Sequence, residues 1–185
     1  MKRWLWLLAA LAVLLAGWRP APKEPEGLAL VRVLGVDGAG PVALTAVCGG
    51  DDQGDQSRGR YTGEGLERAL DGLPWSGEQE LSLTSVSYLV VGRDVDLREI
   101  LLTVLRDEEL GASATVWLAE EGAARLLEGC DDPASGLDLI VRRGVQAPTA
   151  VEALAALEQG EELCLPLLAG DGPVLIDWTE WRDAG

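Results

Sequence analysis

The sequence predicts an α/β (α+β) fold: a mixed β-sheet of about four strands packed with three helices, plus a C-terminal helix and β-hairpin. Apolar, β-branched runs of strand length alternate along the chain with apolar stripes of helical spacing. A strong hairpin signal, Asp37-Gly38, separates the first two apolar runs. These observations indicate an antiparallel strand pair at the start, followed by strands that helices connect.

The first two strands are predicted at 28–36, "LALVRVLGV", and at 41–48, "PVALTAVC", with the turn "DGAG" between them. A polar, glycine-rich stretch at 49–60, "GGDDQGDQSRGR", predicts a loop. Further buried strands are expected at 84–92, "TSVSYLVVG", and at 113–119, "SATVWLA". From the second strand onward strands and helices alternate, which predicts parallel strands.

Three helices are expected among these strands. The first ends at Pro74, and its buried face is formed by Leu66, Ala69, Leu70 and Leu73. The second begins with a capping box of Asp96 and Glu99. Its apolar stripe is Leu97, Ile100, Leu101, Val104 and Leu105. The third is the short segment 121–129, "EGAARLLEG".

The C-terminal region predicts one more helix and a hairpin. The segment "PTAVEALAALEQG" begins a helix at Pro148 and Thr149, and two short strands follow with a turn at "AGDG". The second of these strands places Val174, Ile176 and Trp178 on one face. Because an isolated hairpin is marginal in water, we expect 162–178 to dock on the edge of the first domain or on a partner subunit.

The N-terminal segment 1–18 is typical of an export signal or a membrane anchor. Lys2 and Arg3 precede an uncharged stretch from Trp4 to Trp18, and the linker 19–27 follows. The stretch is shorter than the roughly 20 apolar residues of an ordinary spanning helix, but its tryptophans suit the two membrane interfaces. A buried core helix is the alternative, and the flanking charges and proline-rich linker fit it poorly.

Composition and charge exclude several classes of function. The formal net charge of −16 disfavours nucleic acid as a partner, since phosphate binding needs clustered lysine and arginine. The chain contains no histidine, which removes the commonest general base. A nucleophile among Ser85, Ser87 and Tyr88 would need a lysine base, but the lysines lie outside the predicted domain, at Lys2 and Lys23. We therefore expect no catalytic residues.

No cofactor or metal site is predicted either. Asp51, Asp52 and Asp55 lack the spacing of a calcium loop and are interpreted as a mobile acidic loop. The glycines of "GVDGAG" precede a strand and indicate a turn, since a dinucleotide fingerprint precedes a helix. The three cysteines, Cys48, Cys130 and Cys164, are too scattered for a zinc site or a disulfide framework, and at most one pair can form.

Five segments in order resemble the N-terminal domain of the spore germination C subunits, the Ger(x)C or GerAC type lipoproteins of nutrient germinant receptors. They are "LALVRVLGVD" (28–37), "YTGEGLERAL" (61–70), "YLVVG" (88–92), "ILLTVLRDEE" (100–109) and "ATVWLAEEGAARLLE" (114–128). Two departures are Ser85, where the family has a histidine, and Glu108, which replaces a proline. The resemblance covers about residues 27–130, with a fainter likeness at 163–168.

The resemblance implies a non-catalytic exported subunit that acts in spore germination at the outer face of the spore inner membrane. Its partners would be A and B type membrane subunits of the receptor, with nutrient binding assigned mainly to the B subunit. Family members are longer, so the resemblance implies a domain at 28–145 and the remnant of a second domain at 146–185. A free-standing exported solute-binding or regulatory domain is the alternative, and an exported hydrolase is a weaker third.

The resemblance also concerns the end of the N-terminal segment. The family attaches lipid to a cysteine in a Leu-Ala-Gly-Cys signal, and here Leu15, Ala16 and Gly17 are followed by Trp18. An indole cannot form the thioether, so no lipidation site is predicted. The chain is then either held by an uncleaved N-terminal helix, which we expect, or released by weak cleavage.

Overall fold

A computed structural model describes residues 28–38, 40–49, 58–72, 80–170 and 172–181, which form eight strands and five helices. The strands are β1 (Leu28–Asp37), β2 (Val42–Cys48), β3 (Arg58–Gly63), β4 (Glu80–Ser82), β5 (Tyr88–Val91), β6 (Thr115–Ala119), β7 (Cys164–Ala169) and β8 (Val174–Glu180). The helices are α1 (Leu66–Asp71), α2 (Leu97–Arg106), α3 (Ala123–Glu128), α4 (Pro133–Arg142) and α5 (Ala150–Gln159). The N-terminal segment with Trp18, and the acidic residues Asp51, Asp52 and Asp55, lie outside the described residues.

The strands form one mixed sheet, which confirms the predicted α/β class. Their order is β3-β2-β1-β5-β6-β7-β8, and β4 pairs with the first residues of β1. Strands β1, β5, β6 and β7 are parallel, whereas the β1–β2, β2–β3 and β7–β8 pairs are antiparallel.

The prediction that parallel strands begin with the second one was wrong. The predicted loop 49–60 ends in a strand, because Arg58, Gly59 and Arg60 belong to β3. The chain therefore reverses twice before its first helix, and β2 runs opposite to β5. Strand β3 is a polar edge strand in which half-buried and exposed residues alternate, so no apolar run in the sequence marks it.

Helices cover both faces of the sheet and create two apolar cores. Buried residues of α1, α2 and α5 join one core with alternate residues of the strands. Buried residues of α3 and α4 form the other core, around Val33, Val90 and Trp117. Strands β5 and β6 are almost completely buried because they lie between the two helical layers. This is why they appear in the sequence as continuous apolar runs.

Two helices begin as the sequence predicts. Asp96 accepts a hydrogen bond of 2.9 Å from the Glu99 amide and so caps α2, which is one of the two bonds of the predicted capping box. The return bond from the Asp96 amide to the Glu99 side chain is not present among the described residues. Thr149 and Glu152 form a reciprocal capping box at the start of α5, and the bonds from Thr149 lower the pKa of the Glu152 carboxyl. The two helices pack side by side on one face, where Arg98 and Glu158 form an exposed ion pair at 2.7 Å.

Helix α4 was missing from the prediction, although the sequence carries its signals. Asp132 caps it by accepting a 2.9 Å hydrogen bond from the Ser135 amide, and Pro133 occupies its first turn. Its buried residues are Pro133, Ala134, Leu137 and Ile140. Leu139 and Val141 are exposed on the same helix, and they blur the periodicity by which an amphipathic helix is recognised.

The C-terminal hairpin docks within the chain, one of the two arrangements predicted for it. Leu167 and Leu168 of β7 pair in parallel with Leu118 and Ala119 of β6, so the sheet continues across the predicted domain boundary at 145/146. Trp181, after β8, is buried in the same core as the buried residues of α1, α2 and α5. None of the helices in the described ranges is long and apolar enough to cross a bilayer.

The prediction that Val174, Ile176 and Trp178 share one face of the hairpin was wrong. Pairing shifts within β8, because Leu175 is opposite Leu168 whereas Asp177 is opposite Leu167, which leaves Ile176 in a β-bulge. Val174 therefore pairs with Ala169, and Trp178 pairs with Pro166. Because Ala169 and Pro166 are three positions apart on β7, the side chains of Val174 and Trp178 lie on opposite faces of the sheet. All three apolar side chains of this edge strand are substantially exposed.

Thr45 of β2 provides the first testable prediction. Its side chain is buried, and its hydroxyl has no hydrogen-bond partner among the described residues. Since an unsatisfied buried hydroxyl costs free energy, Thr45→Val is expected to raise the free energy of unfolding by about 1 kcal/mol, measured by urea denaturation. Thr45→Ser is the control: it keeps the hydroxyl, loses a methyl group and should destabilise. A valine variant less stable than wild type would contradict the prediction.

Candidate functional site: a cleft at the carboxyl edge of the parallel strands

The carboxyl ends of β1, β5 and β6 meet at one edge of the sheet because the three strands are parallel neighbours. Asp37 ends β1, the turn 92–94 follows β5, and the loop 120–122 leads from β6 into α3. In open α/β sheets, ligands commonly bind in the crevice outside this edge. We therefore regard it as the candidate site.

Asp37 organises the edge by capping a helix that is distant in sequence. Its carboxylate accepts hydrogen bonds of 2.7 Å from the amides of Ala123 and Ala124, the first two residues of α3. The position before α3 is Gly122, which has no side chain with which to cap the helix. A residue 86 positions earlier in the chain thus supplies the cap.

Glycines let the backbone approach this carboxylate closely. A Cβ atom on Gly92 would lie 2.4 Å from Asp37 Oδ1, and one on Gly122 would lie 3.2 Å from the same atom. Gly35, two residues before Asp37, lets α3 pack against β1, because a Cβ there would lie 2.6 Å from Leu127 Cδ1. The segments around Gly35, Gly92 and Gly122 therefore pack together at Asp37.

Next to this junction is a cleft of about 780 Å³ with charged walls. Its acidic lining residues are Asp37, Asp94, Glu120, Glu121 and Glu128. Its basic lining residues are Arg60, Arg93 and Arg125. Two pairs compensate each other: Arg125 with Glu121 at 2.9 Å and Arg60 with Glu128 at 3.5 Å. Both pairs are about half exposed or more, so they contribute little to stability.

Three charged groups of the cleft remain outside these pairs and the helix cap. Arg93 and Glu120 form no ion pair within the part of the chain that the structure describes. Among the described residues, the Asp94 carboxylate accepts one long hydrogen bond of 3.3 Å, from the Gly38 amide. The cleft thus presents one guanidinium and two carboxylates for an external ligand.

The described residues contain no group of three or more cysteine, aspartate or glutamate side chains placed to hold a metal ion. All three cysteines are thiols without a disulfide: Cys48 is buried, Cys130 is half-buried and Cys164 is exposed. Cys48 lies in β2 and Cys164 begins β7, whereas Cys130 lies between α3 and α4, directly after the cleft residue Gly129.

The serines and the tyrosine weighed as nucleophiles in the sequence do not form one group. Ser87 Oγ donates to the Ser85 carbonyl oxygen at 3.2 Å, at the amino end of β5 and far from the cleft edge. The Tyr88 hydroxyl donates instead to the Asp138 carboxylate on α4. Arg32 approaches the same carboxylate at 3.3 Å, and the Tyr88 ring packs edge-on against Trp117. This cluster fastens α4 to the sheet.

Burial, followed by the hydrogen bond to Asp138, raises the pKa of Tyr88 from 10.0 to about 12. In the unfolded chain the phenol loses its proton near pH 10, whereas the folded protein keeps it until about pH 12. The folded state therefore binds more protons between these values, and the free energy of unfolding is expected to fall as the pH rises through this window. Denaturation experiments at several pH values measure how steeply the free energy of unfolding changes with pH.

The control variant for this pH prediction is Tyr88→Phe. We expect this variant to have a smaller loss of stability between pH 10 and pH 12, because the shifted group is absent. Equal losses of stability in the wild type and the variant would refute the assignment.

No family model, no characterised protein and no solved structure matches this chain. The resemblance to the germination C subunits therefore rests on its five segments alone. Three of these segments contain the residues that meet at Asp37. A fourth contains Gly63, where a Cβ atom would lie 2.5 Å from the Ala69 amide nitrogen of α1.

Sequence reasoning missed the cleft and the main role of Asp37. The local pattern assigned this residue to the hairpin turn, which it does begin, but its carboxylate serves α3. The available signal was the start of α3 itself, since a helix preceded by glycine needs its cap from elsewhere. No local pattern in the sequence marks Arg93 and Glu120 as residues of the cleft, because only the parallel pairing of β1, β5 and β6 brings their loops together.

Proposed function

We propose that this chain is a non-catalytic exported subunit of a spore germinant receptor-like complex, acting in spore germination at the outer face of the spore inner membrane. Its partners would be A and B type membrane subunits. The observation that carries the proposal is the position of the resembling segments. Gly35, Asp37, Gly92 and Gly122, all within these segments, are residues on which the packing of α3 against the sheet depends.

The chemistry of the candidate cleft supports a non-catalytic role. Most of its charged side chains are paired with each other or cap α3. The chain has no histidine, and the lysines lie at positions 2 and 23, before β1. A cleft of this kind suits recognition better than nucleophilic attack or proton transfer.

Co-purification tests the proposal. The full chain, carrying a C-terminal tag, is produced together with the A and B type subunits of its own organism and captured from detergent-solubilised membranes. We expect both membrane subunits to be recovered with it. The matched control is Asp37→Ala, which should weaken recovery because α3 loses its cap. A wild-type chain that is folded but retains neither subunit would reject the complex.

Membrane attachment gives a separate prediction, because Trp18 replaces the cysteine that would carry lipid. We expect the N-terminal segment to remain uncleaved and to hold the chain at the membrane. N-terminal sequencing and intact mass of the purified protein are the measurements. A sequence that begins near residues 18–22 would show cleavage, and Trp18→Cys is the matched variant in which lipid attachment is expected.

The alternative function, a free-standing exported solute-binding or regulatory domain, is favoured by one observation. The cleft of about 780 Å³ lies where open α/β sheets bind small ligands. Neighbouring genes separate the two functions: A and B type genes beside this one favour the complex, and an isolated locus favours the solute-binding domain.

A further inference from the structure

The uncompensated charges of the cleft indicate what kind of ligand it fits. In each of the ion pairs Arg125–Glu121 and Arg60–Glu128 the two charges neutralise each other. The Asp37 carboxylate accepts hydrogen bonds from the amides of α3. Arg93, Glu120 and Asp94 form no ion pair within the described part of the chain. An anion alone would meet two carboxylates, and a cation alone would meet the guanidinium. A ligand that carries both charges, separated in space, complements all three groups.

The size of the cleft further limits the class of ligand that it can bind. Its volume of about 780 Å³ is within the range of sites that hold ligands of drug size, larger than a single amino acid. Arg93 also borders an adjoining hollow of about 420 Å³, which is lined by Trp178 and Trp181 together with Leu118, Thr179 and Glu180. Trp178 is 45% exposed, so this hollow offers an aromatic surface beside the guanidinium.

We propose that the cleft binds a short peptide of about two to four residues with free ends. Its terminal carboxylate pairs with Arg93, and its terminal ammonium lies between Glu120 and Asp94. An apolar side chain next to the carboxyl end rests in the hollow beside Trp178. The site is open, and its charges are held on loops, so binding is weak and depends more on the two free ends than on the peptide sequence.

This inference goes beyond the proposed function and does not depend on it. A chain that assembles with membrane subunits, and one that does not, both carry the same cleft. Failure of co-purification therefore leaves peptide binding untouched, and failure of peptide binding leaves the complex untouched.

The experiment is a chemical-shift titration of the full-length, ¹⁵N-labelled protein in detergent micelles with triglycine. The matched ligands are N-acetyltriglycine, which lacks the ammonium, and triglycine amide, which lacks the carboxylate. We expect triglycine to shift amide signals of the loops 92–94 and 120–122 at millimolar concentration. Blocking either end should weaken binding about fivefold, the effect of one exposed ion pair.

Variants of the protein assign each end to its partner. In Arg93→Gln, triglycine and its amide should bind equally weakly. With Glu120→Gln, the affinities of triglycine and its acetylated form should differ by less than they do with the wild type. Arg106→Gln and Glu109→Gln remove the same charges near the end of α2, away from the cleft, and should bind as the wild type does.

Two results would overturn the proposal: absence of shifts in the cleft loops, or blocked peptides that bind the wild type as well as triglycine does. The comparison of the three ligands needs no substitution in the protein. It is therefore decisive even if a variant fails to fold.

Discussion

Replacing Asp37 by alanine is expected to lower the free energy of unfolding by about 3 kcal/mol. The carboxylate accepts two hydrogen bonds of 2.7 Å from the first amides of α3, and no neighbouring side chain replaces it at Gly122. Without it, two partly buried amides lose their partners. Urea denaturation followed by circular dichroism measures the change.

Asp94→Ala is the matched control for this prediction. Asp94 lines the same cleft, but within the described ranges its carboxylate accepts one long hydrogen bond, from an exposed turn. We expect the free energy of unfolding of this variant to fall by less than about 1 kcal/mol. If Asp37→Ala were no less stable than Asp94→Ala, the cap would not be a principal support of α3.

Gly63→Ala is expected to lower the free energy of unfolding by about 2–3 kcal/mol. The added Cβ atom would lie 2.5 Å from the amide nitrogen of Ala69 and 2.8 Å from its Cα atom. Both are backbone atoms of α1, so a side-chain rotation cannot relieve the contact and the helix must shift from β3. Thermal and urea unfolding measure the loss.

Gly59→Ala provides the control, because it places the same substitution on the same strand. The nearest atom to its added Cβ is Tyr61 Cε2 at 3.9 Å, an ordinary contact distance. This variant should match the wild type in stability or exceed it slightly, since glycine is unfavourable inside a strand. If both variants lost the same stability, the loss would come from replacing glycine in the strand and not from the close approach of α1 to Gly63.

Elements with a strong local pattern were predictable from the sequence, and those set by distant partners were not. The apolar run at β5 and the cap at Asp96 identify their elements because burial and capping there involve neighbouring residues. Strand β4 has only three residues and is held by pairing with β1, which no local pattern records. The bulge at Ile176 depends on the register of β7, so alternation in the sequence misplaced Trp178.

The candidate site was the least predictable part of the molecule. Asp37, Arg93 and Glu120 lie in three separate loops, and each is an ordinary polar residue of a turn when considered alone. Only the parallel order of β1, β5 and β6 brings the three loops to one edge. A single sequence contains the residues of such a site but not their proximity.

The remote cap of α3 has a consequence for the order of folding. A helix of six residues is too short to persist alone in water, and this one obtains its cap from a residue 86 positions earlier. The chain between them must first be closed into a loop that contains β2, β3, α1, β4, β5, α2 and β6. We therefore expect helix α3 to consolidate late, after the central strands have assembled, and to have φ-values near zero.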